Sequence, residues 1–160
     1  MGWLLSMVLA GAVWAEEGPL AELPVELDPA FSIGKIHEFL NDPAKTSAGK
    51  SQALAFEFKY LNYGAVTAEQ LRQRKGNYYQ IAWSHRGSPT DVVVRFDYRQ
   101  KDSLDKVRTL EVPFVQAKGS NKVRFSVTGD AYETYGPVTS WRVAVVRDGK
   151  IVAQKTSFIW

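Results

Sequence analysis

Four side chains in this sequence combine the chemistry and the position expected of a ligand-binding surface. Three are tyrosines at predicted turns or strand starts and one is an arginine in a predicted strand, namely Tyr132, Tyr135, Tyr78 and Arg142. An exposed aromatic ring packs against the flat face of a sugar, and a neighbouring arginine donates hydrogen bonds to hydroxyl groups or anions. The set therefore predicts a binding surface for a carbohydrate or an anionic polymer. A tyrosine before a sandwich strand is also a common core residue, and this structural role is the favoured interpretation of each tyrosine.

Side chains that commonly catalyse reactions are present, but none stands in a recognisable catalytic pattern. Histidine occurs twice, at His37 and His85, and neither has a second ligand at the spacing that metal sites use. His85 lies close to Ser84 and Asp91 along the chain, yet no Gly-x-Ser-x-Gly motif supplies the sharp turn of a serine nucleophile. The chain has no cysteine, so thiol chemistry is excluded. We therefore expect no enzyme activity, no metal site and no cofactor.

The carboxylate with the most informative neighbours is Asp97. It lies between Arg95 and Arg99 on the polar face of a predicted strand. Glycoside hydrolysis needs two carboxylates that face each other across a cleft, and a small domain with short loops leaves little room for one. We therefore interpret Asp97 as an ion-pair partner across neighbouring strands.

Residues 44–51 read Ala-Lys-Thr-Ser-Ala-Gly-Lys-Ser, which is similar to the end of a phosphate-binding P-loop. The motif requires glycine at the position of Ala44, together with a buried strand before the loop and a helix after it. In the predicted arrangement a proline-containing linker precedes the segment and a strand follows it. Nucleotide binding is therefore not expected.

Charge is distributed unevenly along the chain, whose formal net charge is +3. Residues 16–52 carry seven acidic and three basic side chains, whereas residues 53–160 carry ten acidic and seventeen basic ones. A basic domain of this kind attracts anionic glycans, lipid headgroups or nucleic acids. The basic residues are scattered along the chain, which favours a simple contribution to solubility. We expect no nucleic-acid partner.

The N-terminal residues have the features of a secretion signal. An uncharged apolar run over residues 3–14 leads into alanine just before Glu16, which is typical of a cleavage site and too short for a comfortable transmembrane helix. We therefore predict a signal peptide over 1–15, an acidic and largely extended leader over 16–52, and a β-domain over 53–160. The absence of cysteine fits a bacterial protein exported to the periplasm, the cell envelope or the medium. An uncleaved signal segment would be its only contact with a membrane.

The alternation of apolar and polar residues predicts seven strands in the β-domain. Within the leader, Asp28 and Pro29 are placed to begin one short helix that runs to Leu40. A second helical turn, with Thr67 and Gln70 as a capping box, separates the first two strands. The predicted strands cover residues 54–60, 79–84, 92–99, 107–116, 122–127, 138–147 and 150–160.

Local residue types also predict how these strands are arranged. The Asp-Gly dipeptide at 148–149 supplies the positive φ angles of a type I′ turn, so the last two strands form a hairpin. Pro113 indicates an edge strand, because proline cannot donate a hydrogen bond to a neighbouring strand. We expect Trp83 and Trp141 in the core, and Trp160 over one end of it.

The order and spacing of the strands resemble an immunoglobulin-like or fibronectin-type-III-like domain. That resemblance implies an all-β fold, a seven-stranded antiparallel sandwich with a short helical turn between its first two strands. Tyr132, three residues after Gly129, is similar in position to the corner tyrosine of such domains, whereas their paired cysteines are absent. Residues 65–87 and 129–160 are also similar to small exported proteins of uncharacterised function from environmental bacteria.

These observations favour an exported, non-enzymatic interaction or structural module of the bacterial cell envelope, whose partner is a protein or a glycan. The first alternative is a small protein that binds carbohydrate or an anionic polymer. A lesser alternative is a small outer-membrane β-barrel, because the sequence ends in Phe158, Ile159 and Trp160 after an alternating strand. Gln154 and Thr156 are polar where a lipid-facing strand would be apolar, which argues against the barrel.

Overall fold

A long central strand organises the chain, and most of the other strands pair with it. The computed structural model describes residues 22–45 and 51–160, so the predicted signal peptide lies outside the described residues. The elements, in chain order, are β1 (Phe31–Asn41), α1 (Gln52–Asn62), α2 (Ala68–Arg74), β2 (Gly76–Gln100), β3 (Arg108–Thr128), α3 (Gly129–Tyr135), β4 (Val138–Arg147) and β5 (Lys150–Thr156).

β2 is the centre of a curled antiparallel sheet. Its first half pairs with β1 and with the second half of β3, and its second half pairs with the first half of β3 and with β4. β5 extends the sheet beyond β4. The register between β2 and β3 shifts between His85 and Val92, which divides both strands into two parts. We call the part of the sheet that contains β1 the β1 half, and the part that contains β4 and β5 the β5 half.

Aromatic rings from both halves of the sheet form the centre of the core. The fully buried ring of Phe96 lies 4.7 Å from the ring of Tyr79 and 5.2 Å from that of Phe125, measured between centroids. Tyr79 and Phe125 belong to the β1 half and Phe96 to the β5 half, so the curl brings two parts of the same strands face to face. The prediction that Trp83 and Trp141 lie in the core is confirmed.

The chain just before β1 covers the outer edge of β5. Val25 and Ile151 form a parallel bridge, and the N–H of Glu26 donates to the carbonyl of Ile151 at 2.9 Å. The N–H of Asp28 donates to the carbonyl of Val152 at the same distance. An open strand edge is a template for pairing with other chains, and this segment occupies that template.

The predicted leader helix is wrong. Residues 31–41 form β1, which pairs antiparallel with β2. The carboxylate of Asp28 accepts a hydrogen bond from the N–H of Ala30 at 2.8 Å, in a turn that leads into the strand. A register shift between Ile33 and Ile36 interrupts the alternation of β1, and such an irregularity makes a strand look helical in its spacing. The sheet therefore includes residues that the sequence placed in the leader.

The predicted first strand is also wrong, because residues 54–60 lie within helix α1. Alanine, glutamate and lysine separate its apolar residues, and these have high helix propensity. The side chain of Ser51 accepts a hydrogen bond from the N–H of Leu54 and caps the helix. β1 already occupies the place beside β2, so α1 packs on the sheet rather than joining it.

The other predicted strands form, but fewer separate strands result. The predicted strands 79–84 and 92–99 are continuous within β2, and the predicted strands 107–116 and 122–127 are joined in β3, which begins at Arg108. The sheet therefore has five strands. A bulge lets a strand curl without ending it, so the Gly- and Pro-containing segment 86–89 stays within β2.

Three local predictions are confirmed. Thr67 caps α2, and the side chain of Gln70 completes the capping box. Asp148 and Gly149 have φ angles of 51° and 73°, as a type I′ turn requires. Pro113 lies in β3, which pairs only with β2 among the described strands and is therefore an edge strand.

Trp160 lies outside the core, contrary to the prediction. β5 ends at Thr156, and the ring of Trp160 lies 4.3 Å from the guanidinium carbon of Arg99 and 5.3 Å from that of Arg142. Both arginines are on the polar outer face of the β5 half. The side chain of Phe158 in the same tail is fully exposed.

Candidate functional site

Two of the four predicted binding residues lie together on α3. Tyr132 and Tyr135 are one turn apart on this helix, and both are half-buried. The guanidinium carbon of Arg108 lies 3.6 Å from the centre of the Tyr135 ring, which is within cation–π range. The side-chain amide of Gln100 donates to two backbone carbonyls in and just after α3, at 3.0 and 2.8 Å. The fold therefore encloses part of each ring.

Tyr78 lies on the outer face of the β1 half, where α1 packs. Its hydroxyl donates a hydrogen bond to the carbonyl of Arg74 at 2.9 Å. Burial raises the pKa of Tyr78 above its ordinary value of 10. The ring lines a cleft of about 340 Å³ between α1 and the sheet.

The cleft beneath α1 has mostly apolar walls with a few polar groups. Its roof comes from α1 and its floor from β1, β2 and β3. Cavities of this size and composition are typical of sites that accept a small ligand or the side chains of a partner. The lining residues are His37, Glu38, Phe39, Ala53, Leu54, Phe56, Glu57, Leu61, Tyr78, Tyr79, Gln80 and Arg124.

A network of side-chain amides holds the end of α1 against the sheet. Asn41 is fully buried, and its side chain exchanges hydrogen bonds with that of Asn62 at 3.0 and 2.9 Å. Asn41 also donates to the carbonyl of Arg74 at 2.7 Å. The guanidinium of Arg74 in turn donates to the carbonyls of Leu61 and Tyr63, which satisfies the C-terminal end of α1. The roof of the cleft is therefore anchored at one end.

α1 covers the cleft without burying any residue of its own. Leu54 is 46% exposed, Phe56 is 67% exposed and Tyr60 is 58% exposed. Exposed apolar side chains that lie together gain free energy when a second molecule covers them. The cleft and its roof therefore offer an apolar surface to a partner.

Arg142, the fourth predicted residue, belongs to a charged cluster on the outer face of the β5 half. Asp97 is fully buried, and its Oδ2 accepts hydrogen bonds from Nε and Nη2 of Arg142 at 3.0 and 2.7 Å. Its Oδ1 accepts from Nε of Arg95 and from the hydroxyl of Thr109, both at 2.7 Å. The predicted cross-strand ion pairing of Asp97 is confirmed, and its partner on β4 is Arg142.

The residues considered for catalysis have separate partners. His85 is buried and stacks on the ring of Phe31 at 4.0 Å, and its Nε2 is 2.8 Å from the carbonyl oxygen of Ser88. Ser84 pairs with the hydroxyl of another serine, and Asp91 accepts from a backbone N–H of β3. Within residues 22–45 and 51–160, no group of three or more acidic or histidine side chains could hold a metal ion.

The segment 44–51 lies in a different setting from the predicted one. β1 precedes it and α1 follows it, so the argument from a following strand is wrong. Residues 46–50 lie outside the described residues. Ala44 still stands where a P-loop has glycine, and β1 is an antiparallel strand with several exposed residues rather than a buried one. The absence of nucleotide binding stays a prediction.

Sequence reasoning missed most residues that line the cleft. Phe56 and Leu61 were assigned to a strand or its end, and Phe39 to a helix. The signal that could have identified α1 is Ser51 followed by a run of strong helix formers. No local signal indicates that this helix lies over β1, because that contact joins distant segments.

The comparisons with known proteins bear on the fold. No family model matches the chain, and no curated protein matches it. A crystal structure of a protein from Akkermansia muciniphila is similar, with a TM-score of 0.51 and 14% sequence identity over 79% of this chain and 69% of that chain. At this identity the similarity concerns the β-rich fold alone. No helix in the described ranges is long and apolar enough to cross a membrane.

Proposed function

We propose that the protein is a non-enzymatic interaction module of the bacterial cell envelope that holds its partner in the cleft beneath α1. The observation that carries the proposal is an apolar space of about 340 Å³ under a helix that buries none of its residues. The partner that suits this lining is a protein segment that inserts an aliphatic or aromatic side chain, because such anchors supply most of the binding energy at interfaces.

The cellular setting and the finer fold assignment are parts of the same proposal. The uncharged run over residues 3–14 supports export to the periplasm, the cell envelope or the medium. The curl divides β2 and β3, and if their halves are counted separately the sheet has seven strand segments. That count favours an immunoglobulin-like or fibronectin-type-III-like arrangement.

Site-specific photo-crosslinking tests the proposal. A benzophenone amino acid in place of Phe56 would stand at the mouth of the cleft, and the same group in place of Val115 would stand on exposed β3. After irradiation in bacterial envelope extracts, we expect a protein adduct from position 56 and none from position 115. A second variant, Gln80→Trp, fills the floor of the cleft and should abolish the adduct.

Equal adducts from both positions, or an adduct that survives Gln80→Trp, would show that the cleft is not the binding surface. Circular dichroism and thermal unfolding of each variant establish that it is folded. An adduct that forms only from position 56 and is lost in Gln80→Trp supports the proposal that a protein partner binds in the cleft.

Carbohydrate binding is the second candidate, because the same cleft combines the ring of Tyr78 with the polar side chains of Gln80, Glu57 and Arg124. A sugar would stack on an aromatic wall and pair its hydroxyls with these groups. Titration of isotope-labelled protein with envelope oligosaccharides should then perturb the Tyr78 resonances, without a protein adduct from position 56. Perturbation confined to α3 would instead favour Tyr132 and Tyr135.

A further inference from the structure

The outer face of the β5 half carries three arginines around one carboxylate. Arg95 and Arg142 both donate to the buried carboxylate of Asp97. Arg99 lies on the same face and contacts the hydroxyl of Ser140 through Nη1 at 3.4 Å. Hydrogen bonds to Asp97 hold the first two guanidinium groups in defined orientations, and their remaining N–H groups are not used by this carboxylate.

Arg95 has a donor that the protein does not satisfy. Its side chain is only 8% exposed, and its Nη2 is buried without a hydrogen-bond partner. Leaving a buried, charged donor unpaired costs free energy. Asp97 is already occupied, because Arg95 and Thr109 donate to one of its oxygens and Arg142 donates to the other. An acceptor from outside the protein would remove that cost.

The arginine cluster has a net positive charge, and the ring of Trp160 covers part of it. Two carboxylates offset the charge of the three arginines. One is Asp97, and the other is Glu111, an exposed residue opposite Arg95 in the β2–β3 register. The ring of Trp160 packs on the guanidinium groups of Arg99 and Arg142. That ring belongs to a tail beyond β5 whose two preceding side chains are exposed. A shift of the tail would open the guanidinium edges of Arg99 and Arg142, the two arginines that the ring covers.

We propose that this face is an oxyanion-binding site, in which a sulfate, phosphate or carboxylate group accepts hydrogen bonds from Arg95, Arg99 and Arg142. Planar guanidinium groups that are already oriented match such anions with two parallel hydrogen bonds. Asp97 acts as a positioning residue. The site is on the β5 half, so it goes beyond the cleft of the β1 half and beyond the proposed function.

NMR of the arginine Nε–H groups tests the site directly. Labelled protein is titrated with sodium sulfate while sodium chloride keeps the ionic strength constant. We expect saturable shifts of the Arg95, Arg99 and Arg142 resonances. Dextran sulfate, titrated in parallel, presents the same group on a polymer. Saturation by the free ion alone assigns the site to small anions, and tighter saturation by the polymer assigns it to polymer-borne groups.

Substitutions at three exposed or half-exposed positions distinguish binding at this site from a general effect of net charge. Arg99→Gln removes a direct donor without touching Asp97, and should weaken sulfate binding about tenfold. Glu111→Gln removes a repelling charge, and should strengthen binding about twofold. Lys122→Gln makes the same charge change at an exposed position on the β1 half, outside the cleft, and should leave the affinity unchanged.

Non-saturating shifts in both titrations would indicate an adventitious ion only and overturn the proposal. An equal loss of affinity in Arg99→Gln and Lys122→Gln would do the same, because it would reflect net charge rather than a site. The unfolding midpoint of each variant is measured beside its affinity, so that loss of binding is scored only in folded protein.

Discussion

At the scale of single residues, the start of β2 leaves no room for a side chain. Gly76 has a φ angle of +148°, and a Cβ atom there would lie 2.1 Å from the carbonyl oxygen of Val127. This close approach lets β2 and β3 pair at the point where α2 ends. We expect Gly76→Ala to lower the free energy of unfolding by about 3 kcal/mol, because both the φ angle and the clash add strain. Urea denaturation measures the change.

Gly34→Ala is the matched control for that substitution. Its Cβ would meet its nearest neighbour, the carbonyl oxygen of Ala82, at an ordinary 3.5 Å, and Gly34 does not have a positive φ angle. We expect a change within about 0.5 kcal/mol. Similar losses in both variants would show that the clash at Gly76 is not the cause, because the lower flexibility of alanine in the unfolded chain stabilises the folded state.

Asp97 forms ion pairs with two arginines on the outer face of the β5 half. Asp97→Asn would leave Arg95 and Arg142 facing a neutral amide, with one fewer charge to offset their burial. We expect the free energy of unfolding to fall by about 3 kcal/mol, since breaking a buried ion pair leaves an uncompensated charge. Chemical denaturation checks the value.

Asp105→Asn makes the same change at an exposed position whose φ angle of 58° asparagine tolerates. It should leave stability nearly unchanged. If the two variants lose the same stability, the cluster around Asp97 is not stabilising.

At the scale of elements, Arg72 joins α2 to α3. Its guanidinium donates to Glu69 on its own helix and to Asp130 and Glu133 on α3. Hydrogen bonds from Arg72 and Gln73 lower the pKa of Glu69 to about 2, below its ordinary value of 4.5. A carboxyl whose pKa is lowered by folding stabilises the folded state above pH 4.5 and loses that contribution as the pH falls towards 2.

This shift can be measured by carboxyl-carbon NMR during acid titration. We expect the Glu69 carboxyl to titrate with a midpoint near pH 2 in the native protein. In Arg72→Gln the midpoint should rise towards 4.5, because the main hydrogen-bond donor is gone. In the native protein, amide exchange in α2 should increase as the pH falls from 4.5 towards 2, because the folded state loses the contribution of Glu69 over that range. An unchanged midpoint in Arg72→Gln would remove Arg72 as the cause.

At the scale of the whole molecule, the segment before β1 protects the edge of β5. We expect removal of the chain up to residue 28 to promote self-association and to lower the melting temperature, because the edge of β5 becomes free to pair with other molecules. Light scattering and thermal unfolding report the two effects. The two effects follow from the backbone hydrogen bonds that residues 24–28 make with Ile151 and Val152 on that edge.

Removal of residues 158–160 is the comparison, since Phe158 and Ile159 are exposed and Trp160 contacts arginines rather than the core. This deletion should not promote self-association, and should lower the melting temperature by less than removal of the N-terminal segment does. Aggregation after loss of residues 158–160 would show that the tail has a larger structural role.

Some of this architecture is determined within short stretches of sequence. Thr67 and Gln70 form their capping box, the Asp-Gly pair at 148–149 forms its turn, and Pro113 marks an edge, because each depends on backbone geometry over a few residues. The burial of Trp83 and Trp141 followed from strand alternation for the same reason. Contacts with distant segments did not change the local structure at these positions.

Only the tertiary structure decided which segment of the first half becomes a strand. Residues 31–41 pair with β2 despite an irregular pattern, and residues 52–62 form a helix despite an alternating one. Strand formation depends on hydrogen bonds to a partner far along the chain, and β2 offered one position beside its first half. Local propensity could not choose between the two candidates.

The two candidate sites were decided in the same way. The cleft exists because α1 lies over β1 and β2, and the arginine cluster exists because Arg142 stands across from Asp97 in the β2–β4 register. The sequence by itself determined residue chemistry, local turns and most strand positions. The curl of β2, which sets these side chains side by side, arises from pairings between distant segments and from one shared core.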